Sequence, residues 1–563
     1  MTTLPQLRYA TVADLLLARR DDPDTIDRPA LKFEDSVWTW RELLDEVAVR
    51  AAWLTSWRPD DEDENPWHVG LLTENTPEFL FLTLGAAMSG ASIVGLNSTR
   101  RGAELAADIE GTNCRVIVTD AASRGLLDGL DVAGLGVETV WTSETEAYAA
   151  ELAPHRSAPL EASPEAMDPR RRLLLLFTSG STGRPKAVVC STGRWATISQ
   201  LNPIVFTPED VAYNAMPLFH GNALMAALAP CLFTGASFAM RRKFSASGFL
   251  PDIQKFGATF FNYVGRSLAY ILGQPERPEE RDNVLRFGFG TEASAHDRAE
   301  FQRRFGCMIF EAYGSSEGVI NIVPTPDSPP HALGVPTGGV VVDICAPDGS
   351  VCPTAEFDAN GKMTNADAAI GEIVGRQAVV RFEGYYNNPD ATLDKARDGD
   401  YWSGDLGYKD EQGYLWFAGR TADWLRVDSE NVATAPIERI LVRFPGVHIA
   451  AVYPVPDPRT GDRVMAALQM TEDFDPVAFA DFLRAQTDLG TKSAPALVRV
   501  STDLPVTATR KINKPQLRRD RWEASDPVFE RQGDGSYAVL SPGRVAELRA
   551  QFELNDRAEL LDR

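Results

Sequence analysis

The chain has no Cys-x-x-Cys pair, only six histidines, and no histidine cluster beside its six scattered cysteines (114, 190, 231, 307, 345 and 352). A zinc site or a disulfide framework needs closer, repeated spacings, so the cysteines read as buried free thiols. Positive charge is in deficit as well: 56 Lys and Arg face 79 Asp and Glu, a formal net charge of −23. Such a surface repels phosphate backbones and anionic lipid, which excludes broad nucleic-acid and membrane-surface binding but not a small local anion pocket. The opening MTTLPQLRYATVADLLLARRDD lacks an apolar core of signal-peptide length. No internal repeat is visible. The uncharged run 79–96 is 18 residues long, the threshold for a membrane span, but Gly85, Gly90 and Gly95 interrupt it. It reads as a buried helix, FLFLTLGAAMSG, followed by a buried strand, ASIVGLN, in a soluble cytoplasmic protein.

A length of 563 residues exceeds one comfortable core and predicts about two to four folding units. Short apolar runs alternate with amphipathic stretches, the pattern of α/β layers with mainly buried strands. The apolar run 173–177 enters a Gly/Ser/Thr loop, and the Pro-rich stretch before it, 152–172, reads as a surface excursion within one large domain. The expected boundary follows YLWFAG, a strand ending at Gly419. It gives a large N-terminal layered-sheet domain, 1–421, and a small mobile α+β domain, 422–563. The second part reads as a helix entered through Pro436, two strands (VHIAAVYPV and VMAALQM) and a helix (DPVAFADFLRAQ). Its last residues, about 40, read as an extension carrying one amphipathic helix.

The sharpest motif is Thr178-Ser179-Gly180-Ser181-Thr182-Gly183-Arg184-Pro185-Lys186. Two glycines let backbone N–H groups turn toward one anion, and the hydroxyls and lysine suit nucleotide phosphates. A flexible Gly/Ser loop explains any three of these residues, but less readily the whole ordered run after a buried strand. It is not a Walker A loop, because the fifth residue after Gly180 is Pro185 rather than glycine. Gly288-Phe289-Gly290-Thr291-Glu292-Ala293 fits the GxGxxA dinucleotide fingerprint. No repeated βαβ unit surrounds it, so a nicotinamide enzyme is a minor alternative.

Further along come Glu311-Ala312-Tyr313-Gly314-Ser315-Ser316-Glu317-Gly318, Tyr401-Trp402-Ser403-Gly404-Asp405, Gly419-Arg420-Thr421-Ala422-Asp423 and Thr507-Ala508-Thr509-Arg510-Lys511. Each alone is an ordinary turn or solvated charge. In this order they resemble the adenylate-forming superfamily of acyl-CoA synthetases, adenylation domains and luciferases, over residues from about 30 to about 520. GRTADWLRVDSENVATAPIERIL and DPVFERQGDGSYAVL are most similar to the fatty-acid-transport-protein-type acyl-CoA synthetases, which include bacterial enzymes for long-chain and steroid side-chain acids.

The resemblance implies ATP, Mg²⁺ and coenzyme A as reaction partners, with a small carboxylic acid as substrate. It implies that the loop of Thr178, Ser179, Gly180, Ser181, Thr182, Gly183 and Lys186 holds the ATP phosphates. Glu317 would coordinate Mg²⁺, and Ser316 would face the phosphates and the acyl carboxylate. Tyr313 and Gly314 would flank the adenine, with Gly290, Thr291 and Glu292 forming the other part of its pocket. Asp405 would accept the ribose hydroxyls, Arg420 would contact ribose or phosphates, and Lys511 would bridge the carboxylate and the developing adenylate. His220, Tyr263 and Gly265 match segments that line an acyl pocket, although a packed core histidine or strand reads equally well from the residues. Ala422 takes the hinge position, a place where a small residue serves. Ser429 stands where the related pattern has glycine on the coenzyme A channel, which leaves delivery to a carrier-protein thiol as an alternative. A non-catalytic nucleotide- or acyl-binding relative is disfavoured, because Glu317, Asp405, Arg420 and Lys511 are all of the required types.

Overall fold

A computed structural model describes residues 7–62, 66–178, 185–201, 206–264, 267–291, 293, 295–359, 361, 363–420, 425–427, 430–459, 461–489, 493–507, 510–555 and 557–561. They form two compact units: Met1–Val319 with Val380–Asp394 and Ala508–Arg510, and Ile320–Val379 with Lys395–Thr507 and Lys511–Arg563. Position 421/422, expected to divide the chain, falls inside the second unit.

The first unit holds two sheets. One has seven strands in the order Met308–Glu311, Phe287–Gly290, Phe260–Asn262, Val211–Asn214, Ser237–Met240, Pro29–Phe33 and Ser36–Thr39. All its pairings are parallel except the last. The other has six strands in the order Thr139–Thr142, Val116–Thr119, His68–Leu72, Ser92–Gly95, Arg172–Thr178 and Lys186–Ser191, again parallel except for the final pair. The main core takes Leu31 and Phe238 from one sheet, Val69 and Leu174 from the other, and apolar faces of the surrounding helices. The uncharged run divides as expected. Helix Pro77–Ser89 is buried almost all round and ends at Gly90, whose φ of +88° no β-substituted residue adopts cheaply, and strand Ser92–Gly95 follows. Among the described residues no helix is long and apolar enough to cross a membrane. All six cysteines are free, five of them buried, and burial pushes the Cys114 thiol up to about 12.

The second unit also has two larger sheets. Val341–Cys345, Gly371–Arg376, Asp400–Lys409 and Ala396–Arg397 form one antiparallel sheet, and Leu415–Arg420 pairs with Asp400–Lys409. The other runs Val447–Pro456, Asp462–Met470, Leu497–Ser501, Val528–Arg531 and Tyr537–Val539. The two expected strands, the helix Thr434–Leu441 and the helix Pro476–Ala485 are all present. The tail differs from its expected form. Besides helix Pro542–Leu554 it supplies the hairpin of Val528–Arg531 and Tyr537–Val539, turned through Asp534-Gly535, so it completes the sheet rather than hanging from it.

Candidate active site

In an open parallel sheet, ligands bind beyond the carboxyl ends of the strands. The motif residues of the first unit lie there. Thr178 ends strand Arg172–Thr178, Gly290 ends Phe287–Gly290, and Glu311 ends Met308–Glu311 and leads into Tyr313, Gly314, Ser316 and Glu317. Residues 179–184 and Glu292 lie outside the described residues. Lys186 opens the next strand, 8% exposed, with its ammonium 5.1 Å from the centre of the Tyr385 ring.

The base-binding candidates are packed tightly. A Cβ on Gly290 would lie 2.5 Å from the Tyr263 carbonyl oxygen and 2.6 Å from its ring, so only glycine fits at this strand end. Glu311 fixes the adjoining loop: Oε1 accepts from the Ala293 N–H at 2.7 Å and the Tyr263 hydroxyl at 3.0 Å, and Oε2 accepts from Arg298 at 2.5 Å. Burial, then the Glu311 charge, pushes the Tyr263 phenol well above its ordinary range. Tyr263 is 1% exposed, enclosed with Phe261 and Phe301 in a core cluster.

Glu317 is 7% exposed, and its Oε1 accepts from the Tyr385 hydroxyl at 2.5 Å. The turn around it is braced from helix Thr192–Gln200: Arg194 donates to the Ser316 carbonyl and, at 3.0 Å, to the Val189 carbonyl. Arg194 also fills the space beside Gly318, whose φ is +63°. Among the described residues no group of three or more His, Cys, Asp or Glu converges. A lone buried carboxylate such as Glu317 is a donor that suits Mg²⁺, which takes one or two carboxylates and completes its shell with phosphate and water.

Among the residues expected to line an acyl pocket, His220 follows strand Val211–Asn214 in a turn, its Nδ1 accepting from the Asn222 N–H at 3.3 Å. Residues Ala223–Leu228 then form a π-helix, a rare form concentrated at functional sites. The Asn262 amide donates to Asn222 Oδ1 at 2.7 Å and ties this segment to a strand end. Met225, Phe287 and Phe289 are partly buried apolar side chains packed on the main core. Gly265 lies outside the described residues.

In the second unit, Asp405 and Arg420 are direct cross-strand partners. Gly404 donates its N–H to Glu372 at 2.6 Å, and burial raises the Glu372 pKa. Lys511 closes a tight loop: the Thr507 N–H donates to its carbonyl at 2.7 Å, and its own N–H to Thr507 Oγ1 at 3.2 Å. Lys514, three residues on, is bound to Glu438 at 2.8 Å. Ala422 and Ser429 lie outside the described residues. The sequence motifs missed Tyr385, Arg194 and Glu383. Of these, Tyr385 stands in Gly384-Tyr385-Tyr386-Asn387-Asn388-Pro389, where the turn-forming Asn-Asn-Pro was the available signal.

The AMP-binding enzyme family matches residues 19–386, and the AMP-binding enzyme C-terminal domain matches residues 436–511. A steroid-22-oyl-CoA synthetase of Rhodococcus jostii is 48% identical over 563 residues, 99% of this chain and 100% of that protein. A medium/long-chain-fatty-acid–CoA ligase, FadD17, of Mycobacterium marinum is 41% identical over 503 residues, 88% of this chain and 94% of that one. The crystal structure of ATP-bound MatB from Rhodopseudomonas palustris shares the fold with a TM-score of 0.77 at 26% identity, covering 90% of this chain and 98% of that one. The chain belongs to the AMP-binding, adenylate-forming enzyme family.

Proposed function

We propose that the chain is an AMP-forming acid–thiol ligase that activates a lipid-like carboxylic acid with ATP and transfers the acyl group to coenzyme A. An acyl carboxylate oxygen attacks the α-phosphorus, the bond to the β-phosphate breaks, and pyrophosphate leaves. The thiol of coenzyme A then attacks the acyl carbonyl, and AMP leaves. A steroid side-chain acid is the preferred substrate. The observation that carries this is the 48% identity spanning the whole chain with a steroid-22-oyl-CoA synthetase, against 41% over 503 residues with a fatty-acid ligase. The partly buried Met225, within the π-helix, and Phe287 and Phe289 suit an apolar acid.

In this reading Thr178, residues 179–183 and Lys186 cradle the phosphates, and Gly290, Thr291, Glu292, Tyr313 and Gly314 enclose the base. Glu317 holds Mg²⁺, and Ser316 faces the reacting groups. Asp405 takes the ribose hydroxyls, Arg420 the ribose or phosphates, and Lys511 balances charge on the attacking and leaving oxygens. Bound Mg²⁺ neutralises the polyphosphate and its leaving group. His220, Tyr263 and Gly265 line the acyl pocket. Ala422 acts as hinge and Ser429 borders the coenzyme A channel. The reaction is placed in the cytoplasm.

The test is a panel of steroid side-chain, straight-chain and aromatic acids, reading pyrophosphate, AMP and thioester separately. The expected result is thioester and AMP with a steroid acid, dependent on both ATP and coenzyme A. Pyrophosphate release without any thioester would instead favour delivery to a carrier-protein thiol, and no acid-dependent pyrophosphate would refute adenylation.

A further inference from the structure

Carboxylate ligands depend on the groups that orient them, and loss of such a partner commonly costs about 10- to 100-fold in metal affinity or activity. Glu317 has one such partner. Its Oε1 accepts the Tyr385 O–H at 2.5 Å, and no other hydrogen bond reaches its carboxylate among the described residues. Tyr385 is itself held in a rigid frame. The Val189 N–H donates to the Gly384 carbonyl at 3.1 Å, and the Tyr386 N–H to the Ala187 carbonyl at 2.8 Å. Residues 384–386 therefore lie along strand Lys186–Ser191 as a short added strand, with a β-bridge between Val188 and Tyr385.

Side chains alternate across such a strand. Tyr386 packs edge-on against His68 with ring centres 5.0 Å apart, while Tyr385 turns the other way to Lys186 and Glu317. One residue before this strand begins, Glu383 accepts from the Ser191 N–H at 2.7 Å and its hydroxyl at 2.5 Å, at the start of the helix that carries Arg194. Arg194 holds the Ser316 carbonyl. The backbone before Glu317 and its side chain are thus fixed by two separate elements, both anchored on the strand that begins with Lys186.

We propose that Tyr385 is a positioning residue for the metal-binding carboxylate: its hydroxyl holds Glu317 Oε1, so that Oε2 would remain available to a metal ion. This rests on the assignment of Glu317 as the metal ligand. Tyr385 touches neither substrate nor metal in this scheme. It acts by removing the rotational freedom that Glu317 would otherwise lose on binding the cation.

Tyr385→Phe removes only the hydroxyl and keeps the ring under Lys186. The measurement is ATP affinity without acid, by calorimetry, in Mg²⁺ and in EDTA, with the melting temperature as a check on folding. The expected result is a loss of about tenfold in ATP affinity in Mg²⁺ and no change in EDTA, alongside whatever small fall in melting temperature the unpaired Glu317 carboxylate causes. The Mg²⁺ concentration giving half-maximal pyrophosphate release should rise by a similar factor, with most of the rate recovered at saturating Mg²⁺. Equal losses in Mg²⁺ and EDTA, or a lowered melting temperature with no metal-specific loss, would mean that Tyr385 only supports the fold and would overturn the proposal. Glu317→Gln separates the two assignments. If it abolishes the Mg²⁺-dependent affinity while Tyr385→Phe does not, the Tyr385 proposal alone falls. If Glu317→Gln keeps that affinity, the ligand assignment falls and takes this proposal with it.

Discussion

Lowering the pH below about 6.5 should remove the stability that the first unit draws from one buried side chain, His68. It lies on strand His68–Leu72 and is 1% exposed. Its Nδ1 is 2.6 Å from the Thr112 carbonyl, which makes Nδ1 the donor, and its Nε2 is buried with no hydrogen-bond partner among the described residues. A second proton would have to sit on that bare nitrogen. Burial first, and then the charges of Arg172 and Arg171, lower the pKa from 6.5 to about 3. In the unfolded chain the ring takes its proton below pH 6.5, whereas in the folded chain it refuses one down to about 3. Stability is therefore complete above pH 6.5 and is lost as the pH falls. At pH 5 the gap amounts to about 2 kcal/mol.

His68→Gln keeps an N–H for the Thr112 carbonyl and removes the titration. Thermal or guanidinium unfolding of parent and variant at pH 7 and pH 5 gives the comparison. The parent should lose about 2 kcal/mol more than the variant over that interval, or about 3 °C in midpoint for a unit of this size. Parallel pH dependences in the two proteins, or an imidazole titrating near 6.5 in the folded parent by NMR, would refute the argument.

Lys511→Ala should reduce acyl-AMP formation by about 10²- to 10³-fold while sparing thioester formation from supplied acyl-AMP. Lys514→Ala should instead lose stability, because Lys514 is paired with Glu438, and the reverse ranking in pyrophosphate release would move the assignment by three residues. Gly290→Ala should cost about 1–3 kcal/mol in unfolding measurements, since its Cβ meets the Tyr263 backbone and ring, and an unchanged melting temperature would show that the strand end yields. Ser429→Gly should speed the coenzyme A step and leave the pyrophosphate burst unchanged if the serine narrows the thiol channel. A coenzyme A step that is fast and equal in both proteins would remove that idea.

The candidate-site motifs of the first unit share one property: each is a short run at the end of a strand. Thr178 follows a five-residue apolar run, Gly290 follows Phe287, and 311–318 follows Met308–Glu311. Local sequence then carries both the strand and the chemistry that must sit at its carboxyl end. The tail hairpin was legible in principle through Asp534-Gly535, but its strands of four and three residues are too short for periodicity to register. What was not legible is that the antiparallel strands at 341–420 group with the C-terminal part, because those contacts are distant in sequence.

The residues that orient the chemistry are of a different kind. Tyr385 reaches Glu317 across 68 residues, and Arg194 reaches Ser316 across 122. Local sequence marks neither role: the Asn-Asn-Pro that follows Tyr386 signals only a turn, and an arginine in the first turn of a helix looks solvated. Their significance comes from a shared platform. Lys186–Ser191 is the antiparallel edge strand of an otherwise parallel sheet, and an edge has unpaired N–H and C=O groups to offer. Residues 384–386 take up that edge, which satisfies it and at the same time delivers the Tyr385 hydroxyl to the Glu317 carboxylate. The same backbone pairing that protects the sheet therefore sets the position of the candidate metal ligand. A substitution that weakens the 384–386 pairing should be felt at Glu317 before it is felt in the core.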